Sequence, residues 1–281
     1  MLRLVTLVAF ALCGFAANSL LCRAALMHGA IDPASFTALR LVSGACVLAL
    51  LCLARRAGSP RTNGDWRGAL ALGTYAIAFA YAYVALDAGV GTLLLFGAVQ
   101  LTMIGAGLWR GERMRSAQWW GVLLATAGLL AMKLPLGAAP LPGWPMLAML
   151  GAGVAWGVYS LLGRDARAPL ALTAGNFLRA APFALAVLWF VPHPLQASPQ
   201  GIGYALLSGA LASGLGYALW YAALPALRAS QAAMLQLLVP VLTAVAGVAW
   251  LGEPLDLRLL LGAASILGGV AWVVSRRERG A

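Results

Sequence analysis

Apolar runs of about 20 residues, separated by short polar stretches, recur along the whole chain. A run of that length crosses a hydrocarbon core of about 30 Å as an α-helix. Because lipid offers backbone N–H and C=O groups no partner, such runs form helices or a closed barrel, and runs this continuously apolar favour helices. The pattern predicts ten transmembrane helices, at residues 3–27, 34–54, 67–87, 90–109, 117–133, 144–163, 170–190, 201–224, 229–251 and 257–275.

The second half of the chain repeats residues of the first half. Gly111-Glu112 returns as Gly252-Glu253, 141 positions later. Other pairs, at this distance or slightly less, are Ser19 and Ser160, Arg23 and Arg164, Arg40 and Arg179, and Tyr83 and Tyr221. We therefore predict two related repeats, at residues 1–138 and 139–281. Since five helices per repeat is an odd number, the second repeat enters the membrane from the opposite side, and the expected fold is an all-α integral membrane protein of ten transmembrane helices in two inverted five-helix repeats.

Composition supports the membrane assignment, and the charges give its orientation. The chain is 62% apolar and 10% charged, whereas soluble domains carry about 25% charged residues. Its net charge of +11 comes from loops, so it indicates topology and not nucleic-acid binding. By the positive-inside rule the more basic side is cytoplasmic, which places both termini inside. That side carries Arg3, Arg55, Arg56, Arg61, Arg67, Arg110, Arg113, Arg115, Arg164, Arg167, Arg228, Arg276, Arg277 and Arg279, and the other carries only Lys133 and Arg258.

Three arginines lie inside predicted spans: Arg23, Arg40 and Arg179. Ionisable residues inside a membrane are candidates for function, and a guanidinium matches a carboxylate in a two-pronged geometry. Arg23 is close enough to a helix end to reach the interface. We expect Arg179, in preference to Arg40, to bind a substrate carboxylate; the alternative is a structural bond to a backbone carbonyl.

Aromatic and amide side chains inside the spans predict a binding cavity. Tyr75, Phe79 and Tyr83 recur every four residues and share one helix face. The amides in mid-span need polar partners, and an apolar cavity with a few such groups is typical of small-molecule sites. The candidate substrate-binding residues are Asn18, Arg40, Tyr75, Phe79, Tyr81, Tyr83, Gln100, Trp156, Tyr159, Asn176, Arg179, Tyr217 and Gln236. For any single aromatic stripe, ordinary packing is the alternative.

Two prolines inside spans, Pro240 and Pro182, are candidate hinges, because each removes a helix hydrogen bond. No acidic residue lies deep in a span, which disfavours exchange of lipophilic cations for protons. Glu112 and Glu253 are expected to cap helices or to pair with loop arginines. The four cysteines have no metal-like spacing, and the chain lacks the common hydrolase and protease motifs. We expect no metal, no cofactor and no enzymatic activity.

The residues Tyr221-Ala222-Ala223-Leu224, Pro240, Leu251-Gly252-Glu253 and Gly262, with weaker copies in the first half, resemble the drug/metabolite transporter superfamily, in its ten-helix EamA-type branch. The resemblance covers essentially the whole chain. It implies a multi-pass transporter of the bacterial inner membrane that moves a small-molecule substrate by alternating access through a central cavity. The partners implied are that substrate and the lipid bilayer, with no nucleic acid, and the simplest expectation is a monomer.

The first copy departs from the usual spacing. Leu86 and Glu112 are 26 residues apart, Leu224 and Glu253 are 29 apart, and Val99 stands where the second copy has Pro240. A fourth helix that is shorter and lacks this proline is similar to that of the aromatic amino acid exporters. The resemblance therefore implies export of aromatic and other neutral amino acids; the alternative is another metabolite or drug, such as a nucleoside or an amphipathic compound.

Overall fold

The computed structural model of the protein is an all-α bundle, and it confirms the predicted fold class. It describes residues 2–111, 119–120, 123–124, 127, 142–164, 166–191, 195–227, 229–255, 257, 260–265 and 268. Most of the predicted spans at 117–133 and 257–275 therefore lies outside the described residues. Across the described residues, six helices are long and apolar enough to cross a membrane, and Leu238–Leu251 is a shorter apolar helix.

The helices follow the apolar runs closely. We label them α1 (Leu2–Leu26), α2 (Pro33–Arg55), α3 (Pro60–Asn63), α4 (Trp66–Tyr83), α5 (Ala88–Trp109), α6 (Gly143–Gly163), α7 (Pro169–Phe190), α8 (Pro199–Ala226), α9 (Ala229–Gln236) and α10 (Leu238–Leu251).

Three features differ from the expected spans. The third span ends at Tyr83 instead of residue 87, because residues 84–87 form the turn into α5. The one-turn helix α3 lies in a segment expected to be a loop. The ninth span is interrupted at Leu237, between α9 and α10. The interruption lies next to Gln236. The carbonyl of Gln236 has no helical N–H donor, because the residue four positions later is Pro240.

Short polar side chains fix where several helices begin. The carboxylates of Asp32 and Asp65 accept from the backbone N–H groups of Ser35 and Gly68. The hydroxyl of Ser198 accepts from the backbone N–H of Gly201 in the same way. Such caps satisfy N–H groups that have no partner in the first turn of a helix. The apolar residues between the caps divide between the core and the outer surface of the bundle, where lipid would cover them.

The packing has the symmetry of an inverted duplication. Helix α1 packs on α8, and the equivalent helix α6 packs on α4; α2 packs on its own equivalent α7, and α5 on α9 and α10. Gly44 in α2 lies against Phe177, and Gly58, three residues after the end of α2, lies against Ala171, so residue numbers rise along one segment while they fall along the other. Equivalent helices that run antiparallel belong to repeats of opposite orientation. The two repeats are therefore inverted.

Close approach of helices without bulky side chains holds the two repeats together. Gly209 on α8 lies directly on the backbone of Arg40 in α2, where a Cβ atom would have no room. In lipid, where hydrophobic association is weak, small residues let two helix backbones approach closely and gain van der Waals contact. This contact places α8 beside the arginine that the next section describes.

Candidate functional site

A cluster of buried polar and aromatic side chains lies at the centre of the bundle, where α1, α2, α4, α6 and α8 meet. We call it the central cluster and define it by Asn18, Arg40, Tyr75, Trp156 and Tyr217, all of which the sequence analysis selected. Each is at most 3% exposed. The five side chains come from five different helices and from both repeats, so the site exists only when the two repeats are assembled.

Arg40 is the charged member of the central cluster, and it is fully buried. Its Nε donates to the hydroxyl of Ser213 over 2.9 Å, and its Nη2 donates to the hydroxyls of Tyr75 and Tyr217 over 3.1 and 2.8 Å. The guanidinium also lies over the rings of Tyr75 and Phe79, about 5 Å from each centroid. Within the described part of the chain, Nη1 has no hydrogen-bond partner and no carboxylate forms an ion pair with Arg40.

Asn18 connects α1 to the hydroxyls around Arg40. Its Nδ2 donates to the hydroxyl of Tyr75 over 3.0 Å. Its Oδ1 accepts from the hydroxyl of Ser208 over 2.7 Å and lies 3.4 Å from that of Ser213. The amide sought as a mid-membrane hydrogen-bonding group therefore has partners on both repeats.

The central cluster has more donors than acceptors. Arg40 and the amide nitrogen of Asn18 can only donate, and the tyrosine hydroxyls accept from them. Tyr217 lies 3.2 Å from Tyr75, hydroxyl to hydroxyl, so only one of these two hydroxyl protons is used between them. Nη1 of Arg40 has no acceptor among the described residues, and the hydroxyl of Tyr75 accepts from Asn18, Arg40 and Tyr217, which leaves its own proton to spare. A buried site of this kind is suited to an anionic group that accepts hydrogen bonds.

Aromatic rings line a small cavity that includes Tyr75 and Tyr217, the tyrosine partners of Arg40. Phe15 contacts the rings of Trp156, Tyr217 and Trp220 edge to face, with centroids 5.3 to 5.8 Å apart. The cavity has a volume of about 10 Å³, the space that one water molecule needs. It is lined by Phe15, Asn18, Ser19, Tyr75, Leu95, Phe96, Trp156 and Tyr217. This space is much too small for an amino acid, so binding one would require the surrounding helices to separate.

A π-helical segment of α8, Ser208–Leu215, aligns the side chains that this helix contributes. Ser208 and Tyr217 are nine residues apart, which is about two and a half turns of α-helix and would place them on opposite faces. The wider i→i+5 turns of the π segment return both residues to the same side. As a result Ser208 bonds to Asn18 while Tyr217 bonds to Arg40.

Trp156 and Gln236 extend the polar network toward α9. The indole Nε1 of Trp156 donates to Oε1 of Gln236 over 2.8 Å. Gln236 also donates to the sulfur of Met103, on α5, and to the carbonyl of Ala232. Gln100, also on α5, is 4% exposed, and its Oε1 has no donor among the described residues.

Three other predicted residues lie near the aromatic part of the cluster. Phe79 and Tyr83 continue the α4 stripe from Tyr75, with centroid distances of 5.2 and 4.7 Å along it. Tyr159 contacts Trp156 on one side and Tyr221 on the other. The hydroxyl of Tyr221 donates to the carbonyl of Tyr159, which joins α8 to α6.

Three predicted residues lie elsewhere. Arg179 donates to the backbone carbonyls of Pro60, Arg61 and Gly175, which is the structural alternative to the substrate role. Asn176 accepts from the backbone N–H of Asp65, and Tyr81 is partly exposed on another face of α4. Both arginines of the repeated pair are therefore hydrogen-bonded, but only Arg40 lies in the central cluster.

The sequence analysis missed Phe15, Ser208 and the polar role of Ser213. Phe15 precedes Asn18 by one α-helical turn, so selecting the whole face of α1 that carries Asn18 would have found it. Ser208 was hidden by the π segment, since α-helical periodicity places it away from Tyr217. Across the described residues, no three His, Cys, Asp or Glu side chains lie close enough to hold a metal ion.

Comparison with known families identifies related proteins over nearly the full length. The model of the EamA-like transporter family matches the chain twice, over residues 2–134 and 143–275. An uncharacterized protein of Pseudomonas aeruginosa is 54% identical over 98% of this chain and 96% of its own length. A probable terminal-alkyne amino-acid exporter of Streptantibioticus cattleyicolor is 32% identical over 76% of this chain and 72% of its own.

The fold is shared more widely. An uncharacterized transporter of Bacillus subtilis is 26% identical over 91% of this chain and 88% of its own length. One solved crystal structure superposes with a TM-score of 0.72, covering 97% of this chain and 98% of the other at 24% identity. At that identity the likeness establishes the fold alone.

Proposed function

The chain belongs to the EamA-like transporter family, and on that premise we propose that it exports small metabolites that carry a carboxylate, above all aromatic and other neutral amino acids. The observation that carries this proposal is the donor-rich central cluster around Arg40. The name of the Streptantibioticus relative, a probable amino-acid exporter, supports the same class of substrate.

In this proposal Arg40 anchors the substrate carboxylate. Nη1 and the spare tyrosine hydroxyl donate to it, and the anion compensates a buried cation that has no acidic partner in the described part of the chain. The geometry favours Arg40 over Arg179, whose guanidinium already bonds to three backbone carbonyls.

The aromatic rings would then hold the rest of the substrate. Phe15, Trp156 and Tyr217 give apolar faces and edges beside the anion site, which suit a planar side chain. The faces of these rings also attract an ammonium group. An aromatic amino acid offers both the carboxylate and the complementary groups.

The way the site is built supports transport by alternating access. The cluster joins α1, α2 and α4 of one repeat to α6 and α8 of the other, and its cavity is too small for the substrate. Separating the repeats at one end at a time would open the cavity to one side of the membrane. We place the protein in a bacterial inner membrane with both termini in the cytoplasm, on the basis of the basic loops. An active alkaline phosphatase fused after residue 281 would overturn that orientation.

Efflux from proteoliposomes tests the proposed substrate. Vesicles loaded with labelled phenylalanine should release it faster than protein-free vesicles. Efflux is measured with and without an imposed proton gradient, so that the same experiment tests coupling to protons. Labelled threonine and labelled uridine, loaded in parallel, distinguish aromatic amino acids from other neutral ones and from nucleosides. Selective release of uridine would replace the proposal with the nucleoside alternative.

Two matched substitutions test the anchor. Arg40→Gln should lower phenylalanine efflux by roughly tenfold or more, since a hydrogen bond to a charged group is lost. Arg179 is the equivalent of Arg40 in the second repeat but lies outside the central cluster. Arg179→Gln should therefore leave the apparent affinity for phenylalanine near that of the unmodified protein. Full efflux by Arg40→Gln at normal abundance would refute the role of Arg40.

A further inference from the structure

The carboxylate of Glu253 joins the two repeats at one end of the bundle. Glu253 follows α10, in the second repeat, and its residue is 8% exposed. Its Oε1 accepts from the backbone N–H of Ala88 over 2.6 Å, and its Oε2 lies 3.4 Å from that of Gly89. These N–H groups belong to the first turn of α5, so Glu253 caps a helix of the other repeat.

Arg23 completes the contact from α1. Its Nε lies 3.6 Å from Oε1 of Glu253, and its Nη2 donates to Asp87 over 2.9 Å. Its Nη1 donates to the carbonyls of Tyr83 and Val84, at the end of α4. The positive-inside rule predicts that this end faces outside, and we call the group of Arg23, Asp87, Ala88 and Glu253 the outer clasp.

The backbone of α10 is shaped to admit this carboxylate. Gly247 lies in the π-helical segment Gly247–Leu251, and a Cβ atom on it would meet Oε2 of Glu253 at 2.7 Å. Gly252, the residue before Glu253, has a φ of +66°, a conformation that favours glycine and turns the chain back toward α5. In the Gly252-Glu253 pair, the glycine therefore turns the chain and the glutamate places its carboxylate against α5.

We propose that Glu253 is the positioning residue that closes the outer end of the transport path. By accepting hydrogen bonds from the backbone of α5, it holds the α4–α5 turn against α10, on the outer side of the cavity that the central cluster surrounds. Opening that end requires the Glu253–Ala88 hydrogen bond to break, because its two partners belong to repeats that must separate. This inference rests on the proposed alternating access, but it concerns closure and not substrate choice.

Side-specific cysteine labelling tests the clasp without any substrate. Ser19 lines the cavity and is buried, so Ser19→Cys, with Cys13, Cys22, Cys46 and Cys52 replaced by alanine, reports access to the cavity. A membrane-impermeant maleimide is applied to intact cells and, separately, to inverted vesicles. Glu253→Ala should raise labelling from the outside roughly fivefold, the effect expected from the loss of one helix cap.

Three further variants make the result specific. Glu253→Gln keeps a carbonyl that can accept from Ala88 and should label nearly as slowly as the unmodified protein. Gly247→Ala displaces the carboxylate without changing its charge and should increase labelling. Asp32→Ala is the matched control, since Asp32 also caps a helix at this end but within its own repeat; it should not increase labelling.

The outcomes separate this inference from the proposed function. Unchanged outside labelling in both Glu253→Ala and Gly247→Ala, or an equal increase in Asp32→Ala, would overturn the clasp. Because no substrate is present, a protein that fails to export phenylalanine can still show the clasp. A protein that exports phenylalanine but shows no change in labelling would retain the function and lose the clasp.

Discussion

The guanidinium of Arg40, in the first repeat, donates to the hydroxyl of Tyr217, in the second, over 2.8 Å. This hydrogen bond crosses the boundary between the two repeats at the centre of the membrane-embedded bundle. It uses Nη2 of Arg40 and leaves Nη1 without a partner among the described residues. The proposed anion site therefore depends on contacts that neither repeat can make alone.

Tyr217→Phe should weaken substrate binding by roughly tenfold, since it removes the hydroxyl that bonds to both Arg40 and Tyr75, the two groups proposed to donate to the carboxylate. Equilibrium binding of labelled phenylalanine to the purified protein measures the change. The control is Tyr221→Phe, which loses a bond to the carbonyl of Tyr159 outside the anion site. If both variants lose affinity equally, the effect of Tyr217 is one of packing.

Gly153→Ala should destabilise the protein by about 1–3 kcal/mol, the usual effect of overpacking. A Cβ atom at this position would press on the carbonyl of Leu95 and on the side chain of Ala98, in α5. Gly151, on the same helix, has open space around its Cβ position, so Gly151→Ala should be neutral or slightly stabilising. Thermal unfolding in detergent compares the two, and equal Tm values would contradict the close α5–α6 contact.

Trp156 and Gln236 should be energetically coupled. Gln236→Leu leaves the buried indole N–H without its acceptor and should cost about 1–3 kcal/mol, while Trp156→Phe removes the donor. The double variant Trp156→Phe, Gln236→Leu should therefore lose less stability than the two single variants added together, by about 1 kcal/mol. Strict additivity of the unfolding free energies would mean that the 2.8 Å contact contributes nothing.

The outer clasp should respond to pH through Glu253. Burial raises the pKa of Glu253, and the nearby charge of Asp87 raises it further. The Ala88 and Gly89 amides and Arg23 lower this pKa, but burial outweighs them. With the end open, the carboxyl would face water and have its ordinary pKa. The closed form therefore binds the proton more tightly, so acidification favours closure. The stabilisation of the closed form by this proton is lost as the pH rises through the raised pKa.

Outside labelling of Ser19→Cys should accordingly increase from mildly acidic to neutral pH. Thiolate formation itself raises labelling rates with pH, so each rate is divided by that of the same cysteine in a Glu253→Gln background, which has no titrating group at this position. A ratio that does not change with pH would show that Glu253 does not titrate in the clasp.

The apolar runs predicted the fold class and most of the described helices, because membrane helices must satisfy their own backbone. Runs at 3–27, 34–54 and 144–163 differ from α1, α2 and α6 by no more than one residue at either end. The interruption at Leu237 lies beside the residue that a proline at position 240 leaves without a donor. The hinge roles of Pro240 and Pro182 remain predictions.

The site was predicted less completely. Five residues of the central cluster were selected as buried polar or aromatic groups, since such groups inside a membrane need partners. Which of the two repeated arginines lies in the cluster could not be read from the chain, because Arg40 and Arg179 occupy equivalent positions. Their difference depends on contacts distant in sequence, with Ser213 and Tyr217 for Arg40 and with Pro60 and Arg61 for Arg179.

The π-helical stretch of α8 makes the backbone winding of that helix, as well as its side chains, a determinant of the site. A π-helical segment accommodates an extra residue, so re-forming α-helical turns within Ser208–Leu215 at unchanged length would rotate everything beyond the segment by about 100°, one residue's step around an α-helix. Tyr217 and Trp220 would then turn away from Arg40 and Phe15, although no side chain of the cluster had been altered. A related chain can thus keep every residue of the cluster and still lack the site, if its eighth span has the same length but is α-helical throughout.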